Sequence, residues 1–377
     1  MQLTETVKLN LNSAETLQLT ASMHEYVRAV NELVIVAVSG TSIRKYSSKD
    51  VPAALPSAIR AQVARDARSI VKKHYKSCKA AVKKNKWLKD HGKEPVAKAP
   101  ALPVLKRPVL FVNNQNFHIR NGCIDIPLLV DGKCKRLTFR CSVTDRQQEI
   151  FDNHKLGTLR LVLKDKFIYA QVTYDTEECT AAGDAIMGVD LGIKCPAVSY
   201  ITDGSVKFYG NGRKNKYIRR HYAYLRRKMQ SSKYPEAVKH INTKEQRIMK
   251  DIDHKLSRQI VNEAVKHNVS VIRLETLNNI RNSTRKSRKN NHSIHTWSFY
   301  RLAMYIEYKA KLAGITIEYV DPAYTSQKCP KCGDIHHAED RSYVCTCGYH
   351  THRDIVGAMN ICASTGRVGG SNARHAA

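Results

Sequence analysis

The sequence predicts a multidomain α/β protein, and three observations support this fold class. The chain has 377 residues, which is enough for two or three domains with hydrophobic cores of their own. Apolar and polar residues alternate in short runs between Val109 and Tyr174, as expected for half-buried strands. From Met187 onward, strand-like and helix-like segments follow one another, which favours a sheet covered by helices.

The N-terminal half is predicted to contain helices placed between strands. The alternation over Thr4–Leu11 indicates a strand, and a helix with Ser13 as its cap is expected from about Ala14 to Val38. A second helix with a basic outer face is expected over Ser57–Lys84. A proline-containing linker, Gly92–Pro108, leads to the strands of Val109–Tyr174, which we expect to form a small β-barrel.

A short apolar stretch near the middle of the chain, Met187–Ile193, carries a single carboxylate at Asp190. An aspartate is unfavourable in a buried strand unless it is paired or binds a metal. The segments Ala197–Ile201 and Val206–Tyr209 are predicted to be two further strands. Asp190 is therefore expected on the first strand of a β-meander.

Two later carboxylates fall where they could join Asp190. Glu275 ends the apolar segment Val269–Leu274, and Asp354 lies on a predicted helix near the C-terminus. A strand-embedded acid alone is usually a structural hydrogen-bond acceptor, but the order meander, helix, strand, helix, strand, helix is that of an RNase H-like fold. We therefore expect the three acids to hold two Mg²⁺ ions, which can stabilise both the attacking and the leaving oxygen of a phosphodiester.

The composition points to a polyanionic partner. The 63 lysine and arginine residues against 33 aspartate and glutamate residues give a formal net charge of +30. Nucleic acid is the usual partner of such a chain. A membrane surface fits less well, because the basic residues are spread along the chain and no apolar run approaches the roughly 18 residues of a membrane span.

Four cysteines near the C-terminus form two close pairs, Cys329 with Cys332 and Cys345 with Cys347. Four thiolates in this pattern predict a structural Zn²⁺ site. Two disulfides or unbound thiols are the alternative. The second pair has the shorter C-x-C spacing, so His350 or His352 could replace one ligand.

Two basic segments are candidate nucleic-acid contacts, and solvated surface is the alternative for both. The first is interleaved with Tyr217, Tyr222 and Tyr224, which can stack on bases. The second follows Glu275 directly and could act as a lid over the site or as a simple connector. The basic residues are Arg213, Lys214, Lys216, Arg219, Arg220, Arg226, Arg227 and Lys228 in the first segment and Arg281, Arg285, Lys286, Arg288 and Lys289 in the second.

The chain resembles the TnpB family of insertion-sequence-encoded RNA-guided nucleases, which is related to type V CRISPR effectors. The stretches that carry the resemblance are Gly188–Gly192, Leu274–Leu277, Trp297–Phe299 with Tyr308–Ala310, Tyr324–Cys329, His352–Asp354 and Gly357–Ile361. The first 180 residues are similar in layout only: a strand, a helical insert and then a barrel.

The resemblance implies a RuvC-like nuclease domain with an inserted zinc ribbon. It also implies an N-terminal β-barrel (wedge) domain with a helical recognition insert. The expected division is residues 1–12 and 100–180 for the wedge, 13–99 for the recognition domain, 181–328 and 348–377 for the nuclease domain, and 329–347 for the ribbon. It further implies that Asp190, Glu275 and Asp354 are the catalytic acids, and that the partners are a guide RNA from the transposon end and double-stranded target DNA.

The expected function is an RNA-guided DNA endonuclease that cleaves next to a short target-adjacent motif. A nuclease-inactive, RNA-guided repressor of the same fold is the alternative, although all three acids are present. A DNA-joining transposase has no supporting signature. We expect a monomer without membrane contact, in the cytoplasm and associated with the nucleoid.

Overall fold

The computed structural model describes residues 1–177, 180–181, 183–231, 235–277, 297–338 and 340–368. The chain divides into two units, Met1–Glu177 and Glu178–Ala377. None of the helices in the described ranges combines the length and the apolar character that a membrane crossing needs.

The first unit is built on a seven-stranded antiparallel sheet. Its strands are β1 Gln2–Leu9, β2 Val109–Val112, β3 His118–Arg120, β4 Cys123–Val130, β5 Lys133–Ser142, β6 Leu156–Lys164 and β7 Phe167–Asp175. They are hydrogen-bonded in the order β2-β6-β7-β1-β5-β4-β3. The N-terminal strand β1 therefore lies in the middle of the sheet, between two strands that come more than 100 residues later.

The predicted barrel is not closed by hydrogen bonding. Within the described residues, no ladder joins the edge strands β2 and β3. Strand β3 has only three residues, and it ends at once because Asn121 and Gly122 take positive φ values of 50° and 68° and turn the chain into β4.

Two long helices are inserted between β1 and β2, namely α1 Ser13–Val38 and α2 Ser57–Asp90, and a short helix α3 Asp145–Asn153 follows β5. The cap of α1 is Asn12 and not Ser13, because the Asn12 side chain accepts from the backbone N–H of Glu15 while the Glu15 carboxylate accepts from that of Asn12. Helix α2 extends six residues beyond the predicted end at Lys84, since no glycine occurs between Ser57 and Gly92.

The two long helices and the sheet share one hydrophobic core. Tyr26 of α1 is fully buried, and its hydroxyl donates to Asp66 Oδ2 of α2 at 2.6 Å. The Gln62 amide donates to the other Asp66 oxygen at 2.9 Å. Burial raises the pKa of Asp66, although these hydrogen bonds oppose the shift. This network fixes α1 against α2 in a surrounding of apolar side chains.

The second unit contains a six-stranded mixed sheet. Its strands are β8 Ala185–Asp190, β9 Ala197–Ile201, β10 Val206–Tyr209, β11 Val269–Glu275, β12 Thr316–Val320 and β15 Arg367–Val368, in the spatial order β10-β9-β8-β11-β12-β15. Strands β10, β9 and β8 are antiparallel neighbours, whereas β8, β11 and β12 are parallel. The helices are α4 Gly212–Gln230, α5 Val238–Lys266, α6 Phe299–Leu312 and α7 Arg353–Ala363. This element order agrees with the order predicted from the sequence, with β15 added.

The alternation of side chains along β8 assigns the two faces of this sheet. Met187 and Val189 are fully buried in a core that includes Ile260 of α5 and Ile306 of α6. Gly188 and Asp190 point to the opposite face, where α7 packs. A small two-stranded hairpin, β13 Ser342–Val344 with β14 His350–His352, precedes α7 directly.

Candidate functional site

Two of the predicted acids end neighbouring parallel strands. Asp190 is the last residue of β8 and Glu275 the last residue of β11. Leu274 lies opposite Val189 in the ladder, so the two carboxylates emerge at the same edge of the sheet. The carboxyl ends of parallel strands are where α/β sheets usually place their ligands.

Two glycines allow helix α7 to bring the third acid to this edge. A Cβ atom on Gly188 would lie 2.2 Å from the backbone oxygen of Ala358, so only glycine lets the helix lie against β8. A Cβ atom on Gly357 would lie 3.0 Å from Asp190 Oδ2. Helix α7 therefore lies against the Asp190 side chain, and Asp354 in its first turn is buried.

The three carboxylates influence one another electrostatically. Asp190 is half-buried, and burial, followed by the charges of Glu275 and Asp354, raises its pKa to about 8. The charges of Arg341 and Arg353 act in the opposite direction and offset only part of the shift. The three predicted acids are thus close enough to interact electrostatically. The ionised form of Asp190 is unfavourable unless a further cation is bound nearby.

Each of the other two acids is held by a side chain that the sequence reasoning did not single out. The Thr325 hydroxyl donates to Glu275 Oε1, and burial raises the pKa of Glu275 despite this hydrogen bond. The Arg341 guanidinium forms an ion pair with Asp354. Arg341 follows an aspartate in a polar run, so its sequence context gave no signal, whereas Thr325 lay inside a resemblance motif without an assigned role.

The carboxylates are spread wider than the coordination sphere of one ion. Within the described ranges, only the four cysteines form a group of three or more possible ligand atoms that all lie within 4.8 Å of one another. Two-ion phosphodiester sites separate their ions by about 3.5–4 Å, so their ligands extend over a larger space. Buried, hard oxygen donors that repel one another suit Mg²⁺ bound in this way.

Cys329, Cys332, Cys345 and Cys347 converge as predicted and could hold a metal ion. The Sγ atoms of Cys329 and Cys347 are 3.7 Å apart, and those of Cys332 and Cys345 are 3.4 Å apart, far longer than a disulfide bond of about 2.05 Å.

The neighbouring residues also suit a four-cysteine cluster. Gly333 and Gly348, which follow the two pairs, have φ values of 85° and 81° and make the tight turns. His350 hydrogen-bonds Ser342 and His352 accepts from the Asp354 backbone, so neither histidine joins the cluster.

The first basic segment forms helix α4, and its cations face two directions. Arg219 and Arg226 are partly buried and pair with Glu245 of α5, which gives them a structural role. Tyr217 is 68% and Tyr224 58% exposed beside the solvent-facing cations. The six exposed cations are Arg213, Lys214, Lys216, Arg220, Arg227 and Lys228.

Helix α4 starts beside the acid site. The Gly212 backbone N–H donates to the Lys194 carbonyl, in the loop that follows Asp190. A Cβ atom on Gly212 would lie 2.1 Å from the Ile193 oxygen, so only glycine permits this close approach. The second basic segment, with Arg281, Arg285, Lys286, Arg288 and Lys289, lies outside the described residues.

Comparison with known proteins gives matches over both units. A family model described as the Cas12f1-like TNB domain matches residues 299–361. A TnpB-like protein of Methanocaldococcus jannaschii is 30% identical over an alignment of 255 residues, and the match covers 62% of this chain and 89% of that protein. The CRISPR-associated endodeoxyribonuclease Cas12f1 of Sulfoacidibacillus thermotolerans is 30% identical over 213 residues, and the matched part is 51% of this chain and 49% of that protein.

Solved structures show the same architecture at low identity. The Cas12f1–sgRNA–target DNA complex has a TM-score of 0.63 at 18% identity, over 93% of this chain and 83% of that chain. The mini-RNA-guided endonuclease CRISPR-Cas phi3 has a TM-score of 0.50 at 12% identity, over 96% of this chain and 92% of that chain. The fold is thus that of the Cas12 effectors, which are multidomain α/β proteins with a RuvC domain. Because it covers most of a 30%-identical TnpB-like relative, the chain belongs to the TnpB family, which confirms the resemblance.

Proposed function

We propose that this protein is an RNA-guided DNA endonuclease of a transposable element that cleaves target DNA next to a short target-adjacent motif. The observation that supports this proposal best is the meeting of Asp190, Glu275 and Asp354 at one edge of the sheet, where Asp190 is unfavourable as an anion. Its relatives include an endodeoxyribonuclease, and a protein of the same fold has been solved with sgRNA and target DNA.

The three acids are proposed to hold two Mg²⁺ ions. When bound, Mg²⁺ would lower the pKa of a bound water and stabilise the charge on the phosphodiester oxygens. Thr325 orients Glu275 through its hydroxyl, and Arg341 holds the Asp354 carboxylate. Arg341 is only partly buried, so its guanidinium can also face a phosphate next to the acids.

The Cys329, Cys332, Cys345 and Cys347 cluster is proposed to bind structural Zn²⁺. Its small core contains the two buried cysteines with Tyr343 and Val356 and little else that is apolar. Such a module needs a metal because its own hydrophobic burial is too small to stabilise it. Four thiolates fill a tetrahedral site and leave no open position for chemistry.

The exposed face of α4 is proposed to contact the guide RNA or the target DNA. Its six exposed cations can neutralise phosphates, while Tyr217 and Tyr224 can stack on bases. Because α4 starts at the loop after Asp190, a strand bound along it would be led to the acid site. We retain Arg281, Arg285, Lys286, Arg288 and Lys289 as a proposed lid.

The domain assignments and partners follow from the same proposal. The long helices between β1 and β2 would be the recognition insert of a wedge domain, with the division at residues 12, 99, 180, 328 and 347 as given above. The guide RNA would come from the transposon end, and the protein would act as a monomer in the cytoplasm, associated with the nucleoid.

A cleavage assay with the protein and its co-purifying RNA tests the proposal. Asp190→Ala should abolish Mg²⁺-dependent cleavage and keep guided binding, because it removes a proposed metal ligand and none of the exposed cations of α4. Asp251→Ala is the matched control, since Asp251 is 58% exposed and forms an ion pair with Lys255 within its own helix. Unchanged cleavage by Asp190→Ala would refute the assignment of Asp190, whereas guided binding without cleavage by the parent would favour the repressor alternative.

A further inference from the structure

A small cavity is lined in part by Thr325 and belongs neither to the acid cluster nor to the cysteine cluster. Its volume is about 240 Å³, and Tyr324, Thr325, Lys328, Asn360 and Ser364 contribute to its lining. Thr325 connects the cavity to the acid site, because its hydroxyl donates to Glu275. Among the residues that the structure describes, none of those lining the cavity is acidic.

The backbone at the mouth of the cavity is strained. Tyr324 has a φ value of +59°, whereas the other four non-glycine residues with positive φ in the described ranges are all asparagine or aspartate. Those two residue types adopt this conformation readily, but a bulky aromatic residue is an outlier there. Strain of this kind persists only where the surroundings enforce it, and it is concentrated at functional sites.

Four hydrogen bonds enforce this conformation. The Asn360 amide of α7 donates to the carbonyl oxygens of both Thr325 and Lys328, each at 2.7 Å. The backbone N–H groups of Gln327 and Lys328 both donate to the Tyr324 carbonyl. The segment is therefore fixed to the helix that carries Asp354, and the Tyr324 ring remains 58% exposed.

The side chains around the cavity match the chemistry of one nucleotide. The exposed Tyr324 ring offers a face on which a base can stack. Lys328 is exposed, and among the described residues its ammonium group has no ion-pair partner. The cavity is smaller than the roughly 300 Å³ at which sites for larger ligands begin, so it suits a single ring.

We propose that this cavity is a subsite for the nucleotide next to the scissile phosphate of a single DNA strand. In this subsite Tyr324 stacks on the base and Lys328 pairs with its phosphate. The inference rests on the proposed nuclease function and adds to it a subsite on the Glu275 side of the acids. If Tyr324 instead only ends a turn, replacing it with a residue better suited to positive φ should leave substrate binding and cleavage unchanged.

The pair Tyr324→Phe and Tyr324→Asn separates these two roles. Phenylalanine keeps the ring, while asparagine removes it and relieves the backbone strain, so the folded state is retained. On single-stranded substrate, we expect Tyr324→Asn to raise KM roughly 5- to 150-fold, which corresponds to about 1–3 kcal/mol of base stacking. Tyr324→Phe should stay within about twofold of the parent on the same stacking argument.

A binding measurement reports on the subsite without relying on cleavage. Guide-loaded protein in EDTA is mixed with single-stranded targets that carry 2-aminopurine at successive positions around the cut. The parent and Tyr324→Phe should quench the fluorescence at one or two adjacent positions, and Tyr324→Asn should not. Lys328→Gln should reduce the slope of log affinity against log salt by about 0.7, and the exposed Lys331→Gln is its control.

The outcomes of these experiments distinguish the nucleotide subsite from the proposed nuclease function. If Tyr324→Asn equals Tyr324→Phe in both KM and quenching, the subsite is wrong although the nuclease function stands. If the parent cleaves no DNA with any divalent metal, the proposed function fails, and position-specific quenching still decides whether the cavity binds a nucleotide.

Discussion

Replacing Gly357 with alanine tests how closely helix α7 supports the acid site. The added Cβ atom would lie 3.0 Å from Asp190 Oδ2 and 3.2 Å from its Cγ. Ordinary van der Waals contact begins at about 3.4 Å, so the carboxylate has to move by a few tenths of an ångström. The Asp190 side chain can make this movement by departing from a staggered rotamer.

The same substitution should favour the helix itself. Alanine is better than glycine inside a helix by about 1 kcal/mol. An off-rotamer Asp190 costs about 0.5–1.5 kcal/mol, so the net change in the free energy of unfolding should be close to zero. Catalysis is less tolerant, because a displacement of about 1 Å at a catalytic group can cost about 10²-fold in rate. We therefore expect the single-turnover cleavage rate to fall roughly tenfold, in a protein as stable as the parent.

The assay compares single-turnover cleavage with urea unfolding for the parent, Gly357→Ala and Gly188→Ala. Gly188→Ala is the contrasting variant, because its Cβ atom would lie 2.2 Å from a backbone oxygen that cannot yield easily. It should lose stability together with activity. A Gly357→Ala protein that cleaves at the parental rate would refute the idea that α7 sets the position of Asp190.

Three further predictions concern pH, the first unit and the second basic segment. In metal-free protein the pKa of Asp190 is raised, so the folded state favours the protonated carboxyl. The stability that this carboxyl contributes is present below about pH 4 and is lost as the pH rises towards 8. The Asp190→Asn side chain does not titrate, so in EDTA its free energy of unfolding in urea should exceed that of the parent by an amount that grows over this pH range. The difference should reach several kcal/mol, on the order of 1.4 kcal/mol per pKa unit. A difference that is independent of pH would contradict the electrostatic argument. Tyr26→Phe leaves one oxygen of the enclosed Asp66 carboxylate without its donor and should destabilise the protein by about 1–3 kcal/mol, whereas the exposed Tyr75→Phe should change little; equal urea midpoints for the two would contradict it. Replacing Arg281, Arg285, Lys286, Arg288 and Lys289 with serine should slow single-turnover cleavage more than it weakens gel-shift affinity, while equal losses would indicate a general nucleic-acid contact and no loss a connector.

The acid site could be predicted because it depends on backbone topology. Asp190 and Glu275 are each preceded by an apolar strand, and after β9 and β10 the helices α4 and α5 return the chain so that β11 lies parallel to β8. Once strands are parallel and adjacent, their carboxyl ends meet whatever the side chains are. The cysteine pairs could be predicted for a similar reason, since their spacing along the chain brings the thiols close together.

The parts that could not be predicted depend on side-chain direction and tertiary contact. Arg219 and Arg226 have the same sequence signature as their exposed neighbours, yet Glu245 on another helix draws both inward. Arg341 lies in a polar run, and only the fold brings it to Asp354. The strained backbone of Tyr324 is enforced by Asn360 from a distant segment, so no local pattern indicates it.

The position of the cysteine cluster predicts that zinc, if bound there as proposed, would stabilise the arrangement of the acid site. Arg341 directly precedes strand β13 of the hairpin, and its side chain contacts Asp354. His352 ends strand β14 and accepts from the Asp354 backbone N–H, and the Arg353 backbone N–H donates to the Arg341 carbonyl. The hairpin therefore holds both the start of α7 and the cation that faces its acid. Because the small core of this module is too poor in apolar residues to hold the hairpin alone, loss of zinc should release Arg341 and Asp354 together.

Cys329→Ser/Cys332→Ser should consequently lose zinc, as measured by metal analysis, and should lose cleavage by at least the roughly 10²-fold expected for a misplaced catalytic group. Target binding in gel-shift assays should fall much less, since the exposed cations of α4 lie on another element. Cys134→Ser is the control, because Cys134 is exposed in the first unit and outside the cluster. Zinc-free protein that cleaves at the parental rate would show that the hairpin does not position Asp354.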